Sequence, residues 1–264
     1  MSRELNKQIK RLNKQENKIL KYKKNKLLKS KVDPVIEKIR GKIPDKLVDT
    51  LEVAFEKGFQ LVFEKGYIYV EKTFNKDKLQ LEHDMKNQEV DKDISKKNIK
   101  ELDKHSNHSK RLNSVISGIE GSALGVLGIG LPDIPIFIAM IMKTISEIAL
   151  SYGYEYELKE EKAYVLLLIS ASVSTGDKQK KFNEEIDQLA NNIDQHIETE
   201  INIKELITIA ANALSEALLI AKFIQGIPLV GVVGGVVNYN IIRKIGKYAS
   251  IKYKKRYLYR KAEK

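Results

Sequence analysis

Apolar residues along this chain recur at spacings of three and four and nowhere in a sustained alternation, so the pattern predicts helices. Leu5, Ile9, Leu12, Glu16, Ile19 and Tyr22 form one thin stripe in a lysine-rich stretch, which predicts a helix over 4–29 with a narrow apolar edge. Asp33-Pro34 has the form of a helix start, with Asp as cap and Pro at the first position. After Gly41 and Pro44 a long helix is expected from about Asp45 to about Phe74, with Leu51, Phe55, Phe59 and Val62 on its inner face. Residues 75–108 are charge-dense and read as one or two solvated helices or a partly mobile arm. A helix at about 110–120 follows, then one opened by Pro135 and stopped at Tyr152-Gly153-Tyr154, where Gly153 suits a left-handed cap. Glu160 to Ser174 is apolar nearly all round beyond its first turn, so it is expected at the centre. Gly176-Asp177 reads as a loop before a polar helix to about His196, and 203–222 as an amphipathic helix. The fold class is all-α, a single multi-helix bundle of eight to ten helices.

Two segments depart from this pattern. Between Ser122 and Met142 the only ionisable side chain is Asp133, a run as long and apolar as a bilayer-spanning helix. Yet Gly125, Gly128, Gly130, Pro132 and Pro135 punctuate it, with Gly121 just before it, and such residues loosen or break a helix in water. Phe223 to Ile242 repeats the chemistry, with no charge and with Pro228 and a Gly234-Gly235 pair. The prolines, with Gln225, Asn238 and Asn240, argue against true spanning, because hydrocarbon offers polar groups no partners.

Charge sharpens the picture. The chain of 264 residues is net +12, but residues 1–31 carry net +10 and residues 243–264 net +9, leaving 32–242 at −7. The expected organisation is therefore a polybasic helical arm (1–31), an acidic helical body (32–242) and a basic Tyr/Lys/Arg-rich C-terminal helix (243–264). An acidic body argues against a basic nucleic-acid-binding core, and two cationic ends seek an anionic surface. The chain has no cysteine, which excludes disulfides, thiolate metal sites and cysteine catalysis. The polar start, Met-Ser-Arg-Glu-Leu-Asn-Lys, is unlike a cleaved secretion signal, so a cytoplasmic location is expected, peripheral to the inner face of the cell membrane.

Candidate chemistry is sparse. Gly125, Gly128 and Gly130 lack the flanking strand or the Gly-Lys-Ser/Thr that a nucleotide loop needs. Asp133, between two prolines, reads as a helix cap, or else as a buried carboxylate paired with Glu120 or Glu147 for acid–base work. Glu147 has Lys143 one turn before it, so an ion pair is its simplest account. His105 and His108 lie in a polar stretch without accompanying acids on a core helix, so no metal is expected, and no cofactor. In the C-terminal helix tyrosines alternate with cations, a composition that suits lipid headgroups or RNA. Its place directly after an uncharged segment favours the membrane. Expected membrane contacts are Leu131, Ile134, Ile136, Phe137, Phe223, Ile227, Leu229, Tyr253 and Tyr257. Lys21, Lys23, Lys24, Lys252, Lys254, Lys255, Arg256 and Arg260 are expected to meet anionic lipid.

Several of these motifs occur in a recognisable order: Glu120-Gly121 with Gly125 and Gly128, Leu131 to Pro135, Glu147 to Ala149, Tyr152-Gly153-Tyr154, the acidic run Glu157 to Glu161, and Lys222 to Pro228 with Gly231, Gly234-Gly235 and Asn238. As an ordered set, covering about residues 40–255, this resembles the bacterial EcsC proteins. The resemblance implies a helical protein whose namesake is linked with an ABC-transporter operon, and it carries over no catalytic residue. The partners expected are an anionic membrane surface and an ABC transporter or other membrane protein. The function expected is a helical accessory protein at the membrane surface, possible alternatives being a hydrolase using buried carboxylates or an RNA-binding accessory protein.

Overall fold

The computed structural model describes residues 2–21, 41, 43–63, 70, 74–108, 133–225 and 235–263, with the backbone alone at 21, 105–108, 133, 223–225 and 235–237. Among these, nine α-helices and no strand are present. They are α1 (Arg3–Lys21), α2 (Asp45–Leu61), α3 (Lys76–Lys92), α4 (Lys96–His108), α5 (Asp133–Ser151), α6 (Lys159–Val173), α7 (Gly176–Asp194), α8 (Ile203–Gln225) and α9 (Gly235–Glu263). The segments 22–40, 109–132 and 226–234 lie outside the described residues, and with them Asp33-Pro34, the helix expected at 110–120 and most of both Gly/Pro-punctuated runs.

The apolar run Ala163–Val173 leaves α6 no polar face, so every side chain from Ala163 to Val173 is buried. It packs against α7, α8 and α9. α5 is the other interior helix and packs against α2, α3, α4 and α9. Its segment Ile134–Ser151 is long and apolar enough to cross a membrane by length and composition, but 78% of it is buried within the bundle. α2 closes on α5 at Gly58, where a Cβ would overlap Ile138, and lays its other side on α8.

The charge-dense stretch 75–108 forms two docked helices. Asn75 caps α3 by accepting from the Lys78 N–H at 2.8 Å. Asn98 closes the α3–α4 turn, donating to the Glu89 and Asp93 carbonyls at 3.1 and 2.9 Å. Its few apolar residues suffice because Val90, Ile99 and Leu102 all face inward. The expected loop at Gly176-Asp177 is already helix. Gly176, at φ +66°, turns the chain, so two residues, Ser174 and Thr175, join α6 to α7.

α5 ends as its sequence indicates. Gly153 has φ +73°, and the Tyr154 and Gly153 amides bond the Ala149 and Leu150 carbonyls at 3.0 and 2.9 Å, a complete left-handed cap. His83 of α3 packs its Nε2 directly over Gly153, and its Nδ1 lies 3.1 Å from the Ser151 carbonyl. Its other neighbours are the Tyr257 ring, Asp84 on its own helix, and Arg260 and Lys261 on α9.

Two outcomes are expected. Gly153→Ala combines positive φ with a collision against His83, and should cost about 2–4 kcal/mol in urea unfolding; adding His83→Ala should recover the steric part only. Burial holds the His83 imidazole below its ordinary value of 6.5. The unfolded chain therefore binds the proton first, and stability present above about pH 6.5 is lost as pH falls. His83→Gln should flatten that slope in a pH series of melting temperatures.

Candidate functional site

α9 presents an unusual problem: a helix rich in Lys, Arg and Tyr that runs through the interior. Tyr248, Tyr253, Tyr257 and Lys252 are at most 1% exposed, and Lys254, Arg256 and Lys261 are also buried. A buried cation is tolerable only with a carboxylate partner, and α9 finds partners on five other helices. Lys252 meets Glu16 of α1, and Asp187 of α7 at 2.7 Å. Lys255 also reaches Glu16 at 2.7 Å. Lys254 pairs with Asp103 of α4 at 2.6 Å, and Lys261 with Asp91 of α3. Arg256 spans Glu161 of α6 and Asp194 of α7, each at 2.7 Å.

Aromatic rings insulate these pairs. The Arg256 guanidinium lies 4.2 Å from the Tyr154 ring centre and 4.6 Å from that of Tyr164, with Tyr253 on a third side at 5.8 Å. Arg260 covers the Tyr154 ring at 4.6 Å. The Tyr253 hydroxyl donates to Glu161 at 3.2 Å, that of Tyr257 to Asn87 at 3.0 Å, and that of Tyr248 to Asn183 at 2.5 Å. Among the described residues the Tyr154 and Tyr164 hydroxyls have no hydrogen-bond partner. Burial pushes the Glu161 carboxyl upward, and Arg256 and Tyr253 only partly offset it. Burial also pushes Glu16 up, but Lys252 and Lys255 together more than reverse this and hold it below the usual carboxylate range.

Several expected contacts are corrected by this arrangement. Lys252, Lys254, Lys255 and Arg256 do not form a cationic surface, because internal acids already engage them. Arg260 stacks on Tyr154 and reaches the Tyr152 carbonyl at 3.4 Å. Tyr253, Tyr257, Ile134 and Phe137 are core residues and Ile136 is half-buried, so none of these five offers an open lipid contact. Leu131, Ile227, Leu229, Lys23, Lys24 and Glu120 lie outside the described residues, as do the side chains of Lys21, Phe223 and Asp133. Asp133 is the first residue of α5, and Glu147 sits 3.8 Å from Lys143, one turn before it. Among the described residues no group of three His, Asp or Glu lies close enough to hold a metal ion.

The exposed cations lie elsewhere. The inner stripe of α1, Leu5, Ile9, Leu12 and Glu16, is buried against α9 and α7. Its outer side carries Arg3, Lys7, Lys10, Arg11 and Lys14, all exposed, around one shallow depression that Asn6 also lines. Among the described residues no carboxylate borders it. Further along, Lys18 joins Lys244 and Lys247 of α9 at a cavity of about 530 Å³ beside the α6–α7 turn. Sequence reasoning missed the internal acids. Two signals pointed to them: Glu16 interrupts the apolar stripe of α1, and Glu161 stands in the first turn of a helix that is buried all round from Ala163 to Val173.

An all-helical bundle closed around a charged helix, with a separate cationic face, is thus the class of protein defined by the fold and its surface. The family model for EcsC proteins aligns with residues 6–258, nearly the whole chain, and the chain belongs to the EcsC protein family. No curated protein and no solved structure matches it.

The Arg256 pairing sets the expectation here. Arg256→Met strands Glu161 in the core and should cost about 3–5 kcal/mol in denaturant unfolding. Combining it with Glu161→Gln should return a large part of that loss, which a double-mutant cycle reads directly.

Proposed function

We propose that this EcsC protein is an accessory protein of the cytoplasmic membrane face, docking peripherally on anionic phospholipid through the outer side of α1 and acting beside a membrane transporter. The observation that carries the reading is the two-sidedness of α1. Its apolar edge is committed to the bundle, while five cations face outward with no bordering acid among the described residues. A lysine or arginine near an anionic bilayer contributes about 1 kcal/mol, so five suffice for reversible attachment.

Charge elsewhere orients the molecule. Glu52 of α2 lies near Asp49, Glu56 and Glu216, and burial followed by these three acids raises its carboxyl. An acidic face on α2 and α8 is repelled by the same surface that attracts α1. The transporter is the setting that the family resemblance implies. Burial of Tyr248, Tyr253 and Tyr257 leaves Tyr259 as the one exposed ring of the 243–264 tail, which weighs against an RNA-stacking reading.

Flotation of the full chain with vesicles of phosphatidylglycerol and phosphatidylcholine tests the docking. The chain should rise with the anionic vesicles, less so at high salt. The triple variant Lys7→Glu, Lys10→Glu, Lys14→Glu should bind at least about 100-fold more weakly with its melting temperature little changed. Equal flotation of variant and wild type would overturn the reading. Capture of a transporter subunit by in-cell crosslinking from α1-proximal positions would test the second half.

A further inference from the structure

Between α7 and α9 lies a groove of about 400 Å³, and the residues along it include Asn191, Asp194 and Gln195 of α7 and Arg256, Tyr259 and Arg260 of α9. Arg256 holds Asp194 in place with two hydrogen bonds, at 2.7 and 3.1 Å. A carboxylate accepts about four, so Asp194 remains an acceptor. It is also the last residue of α7, where the helix dipole presents its negative end. Arg260 has the opposite character. Its guanidinium lies 4.6 Å from the Tyr154 ring centre, and one of its nitrogens donates to the Tyr152 carbonyl at 3.4 Å. These contacts orient the planar fork, and neither neutralises its charge. The same Tyr154 ring carries the Arg256 guanidinium at 4.2 Å, so a cationic pole at Arg260 and an anionic pole at Asp194 are neighbours in one groove.

We propose that this groove binds a free α-amino acid as its zwitterion. A simple anion would meet Asp194 as well as Arg260, and a simple cation would meet both guanidinium groups. A molecule that carries both charges meets each pole with its opposite. The carboxylate takes the fork of Arg260, whose planar donors match it in pairs. The ammonium goes to Asp194 at the end of α7, and exposed Glu263 adds a second acid to the lining. Asn191 and Gln195 supply amides that donate or accept on the α7 wall. The Tyr259 ring, 41% exposed, is available to an uncharged side chain. The volume lies at the small end of ligand sites, which suits an amino acid better than a larger metabolite. The proposal stands apart from the docking reading, because the groove shares no lining residue with the outer side of α1.

Calorimetric titration of the full chain with L-leucine and its two singly charged analogues tests the site. Isocaproate lacks the ammonium and isopentylamine lacks the carboxylate. Leucine should bind at least about tenfold more tightly than either. Arg260→Gln should bring leucine down to the level of isopentylamine, and Asp194→Asn to that of isocaproate, with melting temperatures recorded for both. Arg260→Lys, which keeps the charge and loses the fork, should fall between wild type and Arg260→Gln. The wild-type ligand series decides the matter even where a variant fails to fold. The triple α1 variant should lose vesicles and keep leucine, so failure of docking and failure of the groove are separable. An analogue that binds as tightly as leucine, no leucine binding at millimolar concentration, or an unchanged leucine affinity in folded Arg260→Gln would overturn the proposal.

Discussion

The bundle depends on placing cations where water does not reach. A buried ammonium or guanidinium is costly unless a carboxylate stands beside it and further donors and acceptors are satisfied. α9 brings four such groups into the interior, with Lys255 half-buried beside them, and α1, α3, α4, α6 and α7 contribute the acids that meet them. Because the partners are spread over five helices, the pairs specify which helix goes where more narrowly than apolar contact does. Leu and Ile tolerate small slides of one helix on another. A carboxylate held at 2.7 Å from Arg256 does not.

The helical class, the central position of α6 and the cap at Gly153 were legible in the sequence because they follow from local pattern. An all-apolar helix must be interior, and a glycine after the last periodic residue marks a left-handed turn. The inner stripe of α1 was legible down to Glu16. What was not legible is the fate of charge. Lys254 and Lys247 look alike in one dimension, yet one is sunk against Asp103 and the other borders an open cavity. That difference comes from carboxylates up to 239 positions away in the chain, as for Glu16 and Lys255. Composition alone made the two basic ends equivalent. The fold makes the C-terminal one largely structural and leaves α1 with Arg3, Lys7, Lys10, Arg11 and Lys14 outward.

This division of labour gives the EcsC assignment physical content. The Tyr/Lys/Arg-rich helix has a membrane-like composition and an interior role, with its tyrosines as insulation between charges and the apolar helices. Arg3, Lys7, Lys10, Arg11 and Lys14 gather along the outer side of α1, with Lys18, Lys244 and Lys247 at its meeting with the start of α9. The proposed membrane docking draws on geometry that can be altered without touching the core.

The order of the elements has a consequence for biosynthesis. α9 is translated after every helix it unites, so the emerging polypeptide holds Glu16, Asp91, Asp103, Glu161, Asp187 and Asp194 without their counter-ions until the ribosome has released that last stretch. The α6–α7, α6–α8 and α2–α8 contacts can form before then, but the buried ion pairs close late, around an arriving rod of positive charge.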